Sequence, residues 1–179
     1  MERSIIIAGF GGQGVILAGK ILAQAGMDHG LDVTWLPSYG PEMRGGTANC
    51  TVVMSDEPVG SPIVDEATAL IAMNLPSLIK FEESLAENGT IVVNRSLIDQ
   101  QVQRSDISAS YVDMNDVARD EVGNPRAINM VALGAYIKAS GALPLQVVKE
   151  AMAHSMRESG KDKFIEMNEK ALEAGFNAA

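Results

Sequence analysis

The chain reads Ser-Ile-Ile-Ile-Ala-Gly-Phe-Gly-Gly-Gln-Gly from residue 4 to residue 14, and this stretch decides the fold. Residues 4–8 form a short stretch that is rich in β-branched residues and apolar on both faces. This pattern predicts a buried parallel strand. Beyond the glycines, apolar residues recur at helical spacing from Val15 to Ala25, and Gly30 is placed to end that helix. The order of strand, glycine turn and helix is the context that a G-x-G-x-x-G match requires.

The glycine loop, residues 9–14, supports two interpretations. Glycines allow a tight turn and a close approach to a ligand, and the free N–H groups at a helix start favour an anion. This predicts a cradle for a phosphate or pyrophosphate. The alternative is a tight strand–helix turn that packs closely and binds nothing, and the motif alone does not separate the two.

The second predicted strand, Asp32–Leu36, argues against a classical NAD or NADP site. Such a site needs an acidic residue at the end of this strand to hold a ribose hydroxyl. Asp32 stands at its start instead, and the strand is followed by Pro37, Ser38 and Tyr39. No arginine stands there to accept a 2′-phosphate.

A second glycine-rich stretch, Tyr39–Gly46, follows this strand. It combines three glycines and a proline with Tyr39, Glu42 and Arg44, a mixture that a bare connection does not need. In an open α/β sheet this loop is expected at the carboxyl edge, beside the glycine loop, where ligands bind. The sequence therefore favours a loop facing a ligand or a partner over a solvated turn.

The rest of the chain alternates strands and helices and then becomes helical. Strands are predicted at 47–54, 69–73, 90–93 and 108–112, with a turn at Asn88-Gly89. Helices are predicted at 78–85, 113–122, 128–137, 145–156 and 161–174. The pattern predicts a single α/β domain over residues 1–179, with a Rossmann-like, doubly wound, mostly parallel sheet and a helical C-terminal extension at about 127–179.

The composition of the chain excludes several classes of function. The 179 residues carry a formal net charge of −9 and no basic patch, which disfavours nucleic-acid binding. The single cysteine, Cys50, lies in an apolar strand pattern and predicts a buried, inert thiol, so this chain alone cannot ligate an iron–sulfur cluster. No secretion signal or membrane span is recognisable, so the expected location is the cytoplasm.

No catalytic set is visible in the sequence. His29 and His154 fall in helical patterns away from the glycine loops, and neither a nucleophile elbow nor a Walker lysine is present. A ligand loop without catalytic residues indicates one part of a larger assembly.

The two glycine-rich stretches, followed by Val-Gly-Ser-Pro at 59–62, resemble the gamma subunit of 2-oxoacid:ferredoxin oxidoreductases. The resemblance covers essentially the whole chain. It is strongest for the 2-oxoglutarate type, with the pyruvate, 2-oxoisovalerate and indolepyruvate types as close relatives.

The resemblance implies a subunit that is inactive alone. In this family the complete enzyme decarboxylates a 2-oxoacid on thiamine diphosphate, reduces ferredoxin through iron–sulfur clusters and releases an acyl-CoA. The cofactors are expected in partner chains, the alpha, beta and ferredoxin-like delta chains, and none in this chain alone. The gamma chain is expected to help form the coenzyme A side of the site. The residues expected there are Gly9, Gly11, Gly12, Gln13, Gly14, Tyr39, Glu42, Arg44, Gly45 and Gly46. A stand-alone Rossmann-type nucleotide-binding protein is the alternative.

Overall fold

In the computed structural model, which describes residues 1–39 and 47–179, a six-stranded sheet forms the centre of the molecule. Its strands are β1 Glu2–Phe10, β2 Asp32–Tyr39, β3 Thr47–Ser55, β4 Ala67–Ala72, β5 Leu85–Asn94 and β6 Ser108–Val112. They lie in the order β2-β3-β1-β4-β5-β6.

The direction of the strands confirms the predicted α/β class and the mostly parallel sheet. Strands β1, β4, β5 and β6 pair in parallel. The exception is β3, which is antiparallel to both β1 and β2 and lies between them. Because only residues 40–46 connect β2 to β3, the two strands form a hairpin, which a short connection permits only between antiparallel neighbours.

Helices cover the sheet and fill the C-terminal part of the chain. They are α1 Val15–Asp28, α2 Leu75–Phe81, α3 Met114–Asp116, α4 Ile128–Ser140, α5 Leu145–Glu158 and α6 Ile165–Ala178. A π-helical stretch, Val117–Val122, extends α3. Residues 127–179 are mainly helical, as expected for the C-terminal extension. However, α4 packs directly against strands β4, β5 and β6, so it belongs to the helical layer that covers the sheet.

Alternate residues of β1 enter two different cores. Ile5 and Ile7 pack on the side of α1, α4, α5 and α6, while Ile6 and Ala8 pack with Leu78 of α2 on the opposite side. A strand buried on both faces needs a continuous apolar run, which is what residues 4–8 supply.

Helix α1 lies very close to β2 and β3. A Cβ atom at Gly26 would lie 2.9 Å from Met54 Sδ, and one at Gly19 would overlap Cys50 Sγ. Cys50 is fully buried, as predicted, and its thiol donates to Val15 O at 3.6 Å. Burial raises the pKa of this thiol to about 12, so the reactive thiolate is strongly disfavoured in the folded chain.

Two differences from the predicted boundaries have a clear physical reason. Asn88-Gly89 is not a turn before the strand predicted at 90–93 but lies inside β5, where Asn88 has φ 61° and the pairing with β4 shifts register. Asparagine tolerates this left-handed conformation, which suits a bulge as well as a turn. The helix predicted at 78–85 begins earlier, at Leu75, because Asn74 Oδ1 caps it by accepting from Ser77 N at 2.9 Å.

None of the helices in the described part of the chain is both long and apolar enough to cross a lipid bilayer.

Candidate functional site

The carboxyl ends of β1 and β2 and the start of β3 lie at one edge of the sheet. Phe10 pairs with Thr47, and Tyr39 pairs with Ala48. Tyr39 and Thr47, which flank residues 40–46, therefore lie at the same edge of the sheet as the end of β1. Residues 40–46, which include the predicted site residues Glu42, Arg44, Gly45 and Gly46, lie outside the described residues, so their roles remain predictions.

The glycine loop is shorter than the motif, because Gly9 is buried within β1. The exposed loop residues are Gly11 and Gly12. Gly12 has φ 96°, and a Cβ atom there would meet no described residue within 4 Å, so residues 1–39 and 47–179 leave the loop open on this side. Gly14 has φ 76° and stands at the N-cap of α1. Positive φ favours glycine at both positions.

Two of the predicted site glycines serve close packing. A Cβ atom at Gly9 would lie 2.5 Å from Gln13 Oε1 and 3.0 Å from Met73 Cβ. A Cβ atom at Gly14 would lie 2.5 Å from the side-chain nitrogen of Asn129. The packing interpretation therefore accounts for Gly9 and Gly14, while Gly11 and Gly12 are free to face a ligand.

Gln13 braces the loop from inside. Its Oε1 accepts from Phe10 N at 2.6 Å, and its Nε2 donates to Met73 O at 3.4 Å. Its backbone N–H donates to Phe10 O at 3.1 Å. The backbone N–H of Gln13 is therefore used within the loop and is not available to a ligand.

The start of α1 presents free backbone donors to the same edge. Among the residues that the structure describes, no side chain forms a hydrogen bond at the N-cap of this 14-residue helix, and no acidic residue stands in its first turn. Its first N–H groups and the positive end of its dipole therefore favour an anion at this end.

Sequence reasoning missed a group of side-chain amides at this edge. Asn74 follows β4, Asn94 ends β5, Asn115 lies in α3, and Asn129 donates to Gly14 O at 3.3 Å. Asn94 donates to Asn115 Oδ1 at 2.8 Å. The sequence does contain a signal for these amides, because an asparagine directly follows each of the apolar strands predicted at 69–73 and 90–93.

The charged groups nearby largely neutralise one another. Arg95, which follows β5, donates from Nε to Asp113 Oδ1 at 2.9 Å, and this hydrogen bond lowers the pKa of Asp113 below its usual value. Arg119 pairs with Asp116 and Asp120. Within 1–39 and 47–179, no group of three or more His, Cys, Asp or Glu side chains is placed to hold a metal ion.

Comparison with known proteins agrees with this architecture. The solved gamma subunit of a keto/oxoacid ferredoxin oxidoreductase from Geobacter sulfurreducens has a TM-score of 0.84 and 30% identity, with 99% of this chain and 98% of that chain covered. The 2-oxoglutarate synthase subunit KorC of Methanothermobacter marburgensis is 35% identical over 98% of this chain and 95% of its own length.

A second kind of relative is longer. The ketoisovalerate oxidoreductase subunit VorA of the same organism is 41% identical over 97% of this chain, but this chain spans only 36% of VorA.

The model of the family described as pyruvate ferredoxin/flavodoxin oxidoreductase matches residues 4–178. The chain therefore belongs to the pyruvate ferredoxin/flavodoxin oxidoreductase family.

Proposed function

We propose that this chain is the gamma subunit of an enzyme that oxidatively decarboxylates 2-oxoglutarate to an acyl-CoA, and that its carboxyl edge forms part of the coenzyme A side of the site. The 2-oxoglutarate assignment is supported by KorC, which this chain covers over 95% of its length. VorA, although more similar in sequence, carries this domain within a longer polypeptide.

One observation carries the coenzyme A proposal. The exposed Gly11-Gly12 segment lies directly before the uncapped start of α1, at the edge where the 40–46 connection also begins and ends. Backbone N–H groups there would bind phosphate oxygens. In this proposal Arg44 adds a planar, permanently charged donor set, and Tyr39, Glu42, Gly45 and Gly46 shape the loop that carries it.

The donor set of the chain does not fit a resident cluster. Cys50 is the single cysteine of the sequence, and it is fully buried with its pKa raised to about 12. We therefore place the iron–sulfur clusters, and thiamine diphosphate with them, in the alpha, beta and delta partner chains.

The alternative, a stand-alone nucleotide-binding protein, fits less well. Its ribose-binding acid would have to stand at the carboxyl end of β2. Asp32 begins that strand instead, where its Oδ2 accepts from Val59 N at 2.7 Å. This carboxylate is therefore engaged at the opposite edge of the sheet from the glycine loop.

Reconstitution tests the subunit proposal. We expect the purified chain to be colourless and to show no 2-oxoacid-dependent dye reduction. Coenzyme A-dependent activity should appear when it is combined with its alpha, beta and delta chains, with 2-oxoglutarate turned over faster than pyruvate, 2-oxoisovalerate or indolepyruvate. The control is the same mixture without this chain. Activity of this chain alone, or undiminished activity of the mixture lacking it, would contradict the proposal.

A second prediction concerns Arg44. We expect Arg44→Ala to impair assembly or coenzyme A use, with a loss of binding free energy of about 2–5 kcal/mol. This is the usual loss when one partner of a buried, charge-assisted contact is removed. Arg44→Lys should also impair the complex, because it keeps the charge but not the planar fork, whereas Glu42→Gln should do so less. Binding measurements and coenzyme A kinetics on the reconstituted enzyme provide the comparison. If Arg44→Ala lost less than about 1 kcal/mol in both assembly and coenzyme A use, the loop would be a solvated turn.

A further inference from the structure

Two buried asparagines at the ends of neighbouring parallel strands have fixed orientations. Asn74 and Asn94 are 1% and 0% exposed. Asn74 Oδ1 accepts from Ser77 N at 2.9 Å, so its Nδ2 points elsewhere. Asn94 Nδ2 donates to Met73 O at 3.1 Å and to Asn115 Oδ1 at 2.8 Å, so its Oδ1 is directed away from both.

These orientations leave one donor and one acceptor unused. Asn74 Nδ2 and Asn94 Oδ1 are buried and have no hydrogen-bond partner within the described part of the chain. Buried polar atoms in folded proteins are nearly always paired, because leaving one without a hydrogen bond destabilises the fold. Two such atoms, one just beyond β4 and one at the end of the neighbouring strand β5, lie at the carboxyl edge of an α/β sheet, where they indicate a ligand site more readily than two unrelated packing faults.

Gln13 joins this pair to the glycine loop. Its Nε2 shares the acceptor Met73 O with Asn94, and its bond to that oxygen is long, at 3.4 Å. If Gln13 swings out, Met73 O keeps Asn94 as its partner, while Phe10 N loses the Gln13 oxygen and becomes available to a ligand. A ligand that takes the place of the Gln13 side chain would then lie beside Met73 O, the group that Asn94 also contacts.

We propose that Gln13, Asn74 and Asn94 form a subsite for a secondary amide of the ligand. A secondary amide offers one acceptor, for Asn74 Nδ2, and one donor, for Asn94 Oδ1. A phosphate or an ionised carboxylate only accepts, and would place its lone pairs against Asn94 Oδ1. None of the hydrogen bonds described above for these amides involves an ionised group, so the subsite suits an uncharged segment. This inference rests on the proposed function, under which the segment is the pantetheine arm of coenzyme A, which carries two secondary amides.

Side-chain amide resonances of the ¹⁵N-labelled full chain test the subsite. Titration with pantetheine should shift the NH₂ signals of Asn74 and Asn94. Asn74→Asp keeps the oxygen that caps α2 but replaces the free donor with an acceptor, so pantetheine should bind at least about tenfold more weakly. Asn124→Asp is the matched control, because Asn124 caps residues 125–127 in the same way, through Arg126 N at 2.9 Å. Its affinity for pantetheine should be unchanged.

Three outcomes overturn the inference. One is the absence of any shift at Asn74 or Asn94 up to about 10 mM pantetheine, beyond which binding is negligible. The second is wild-type affinity in Asn74→Asp. The third is a shift of these two amides with adenosine but not with pantetheine, which would assign the pair to a nucleobase edge.

Pyrophosphate separates this inference from the proposed function. It should shift the backbone amides of Gly11 and Gly12 if the loop is a phosphate cradle. Pantetheine binding without a pyrophosphate response would keep the amide subsite and reject the cradle. The reverse result would keep the cradle and reject the subsite.

Discussion

Replacing Gly175 with alanine is expected to destabilise the chain by about 3 kcal/mol, at the upper end of the usual cost of overpacking. A Cβ atom at Gly175 would overlap the backbone carbonyl of Val131 in α4, and one at Gly134 would overlap the carbonyl of Leu172 in α6. The obstacle in each case is main chain, so no side-chain rotation can relieve it. The two helices would have to move apart, which would open the core around Val131 and Leu172, both fully buried.

Chemical denaturation of Gly175→Ala and Gly134→Ala measures this effect. For a chain of this size, each kcal/mol corresponds to roughly 2–4 °C in Tm, so a fall of roughly 6–12 °C is expected in thermal scans. Gly60→Ala is the control, because Gly60 has open space around its Cβ position and no positive φ. It should change stability by less than about 1 kcal/mol, in the stabilising direction. Equal stability of all three variants would show that α4 and α6 are less closely packed than the structure indicates.

The local pattern of the sequence was sufficient for the main elements. Residues 4–8 predict a strand buried on both faces, and Ile5 and Ile6 do enter opposite cores. Helix α4 was predicted from its run of small and apolar residues, but its contact with α6 was not. Nothing in the spacing of Gly134 and Gly175 shows that each one faces a backbone carbonyl of the other helix, because that contact joins positions about forty residues apart.

Strand direction could not be inferred from the residues. The β-branched content of Thr47–Ser55 predicts a strand but is the same whether it runs parallel or antiparallel to β1. Likewise, the Asn88-Gly89 signal fits a turn or a bulge. The register shift in the pairing of β5 with β4 identifies it as a bulge. Asn88 N donates to Asp106 O at 2.9 Å, and Asp106 lies just before β6.

The position of the glycine loop was predicted from the sequence, but its internal contacts were not. The glycine spacing located the turn between β1 and α1 correctly. It could not show that Gln13 folds back to Phe10 and Met73, since Met73 lies 60 residues further along the chain. The same holds for Asn74 and Asn94, whose unused hydrogen-bonding groups are defined only by the partners that orient them.

Replacing Gly12 with valine is expected to raise the coenzyme A requirement of the assembled enzyme by at least about tenfold, a loss of about 1.4 kcal/mol. Decarboxylation itself should be less affected. Gly12 lies at the exposed turn of the loop, and none of the described residues comes within 4 Å of its Cβ position, so the new side chain would occupy the space above the loop. Two quantities are measured: the KM for coenzyme A, and the rate of 2-oxoacid-dependent dye reduction in the step that precedes the consumption of coenzyme A.

Backbone strain alone could produce part of this effect, because Gly12 has φ 96° and valine is disfavoured there. Gly30→Val separates the two causes. Gly30 has φ 86° and equally open surroundings, but it follows the far end of α1, away from the carboxyl edge. Both variants should therefore lose similar stability, about 1–3 kcal/mol, while Gly12→Val alone should change coenzyme A use. If the two variants change the KM for coenzyme A equally, strain explains the result and the loop does not bind this substrate. If a folded Gly12→Val enzyme keeps its KM, the space above the glycine loop is not where the phosphates lie.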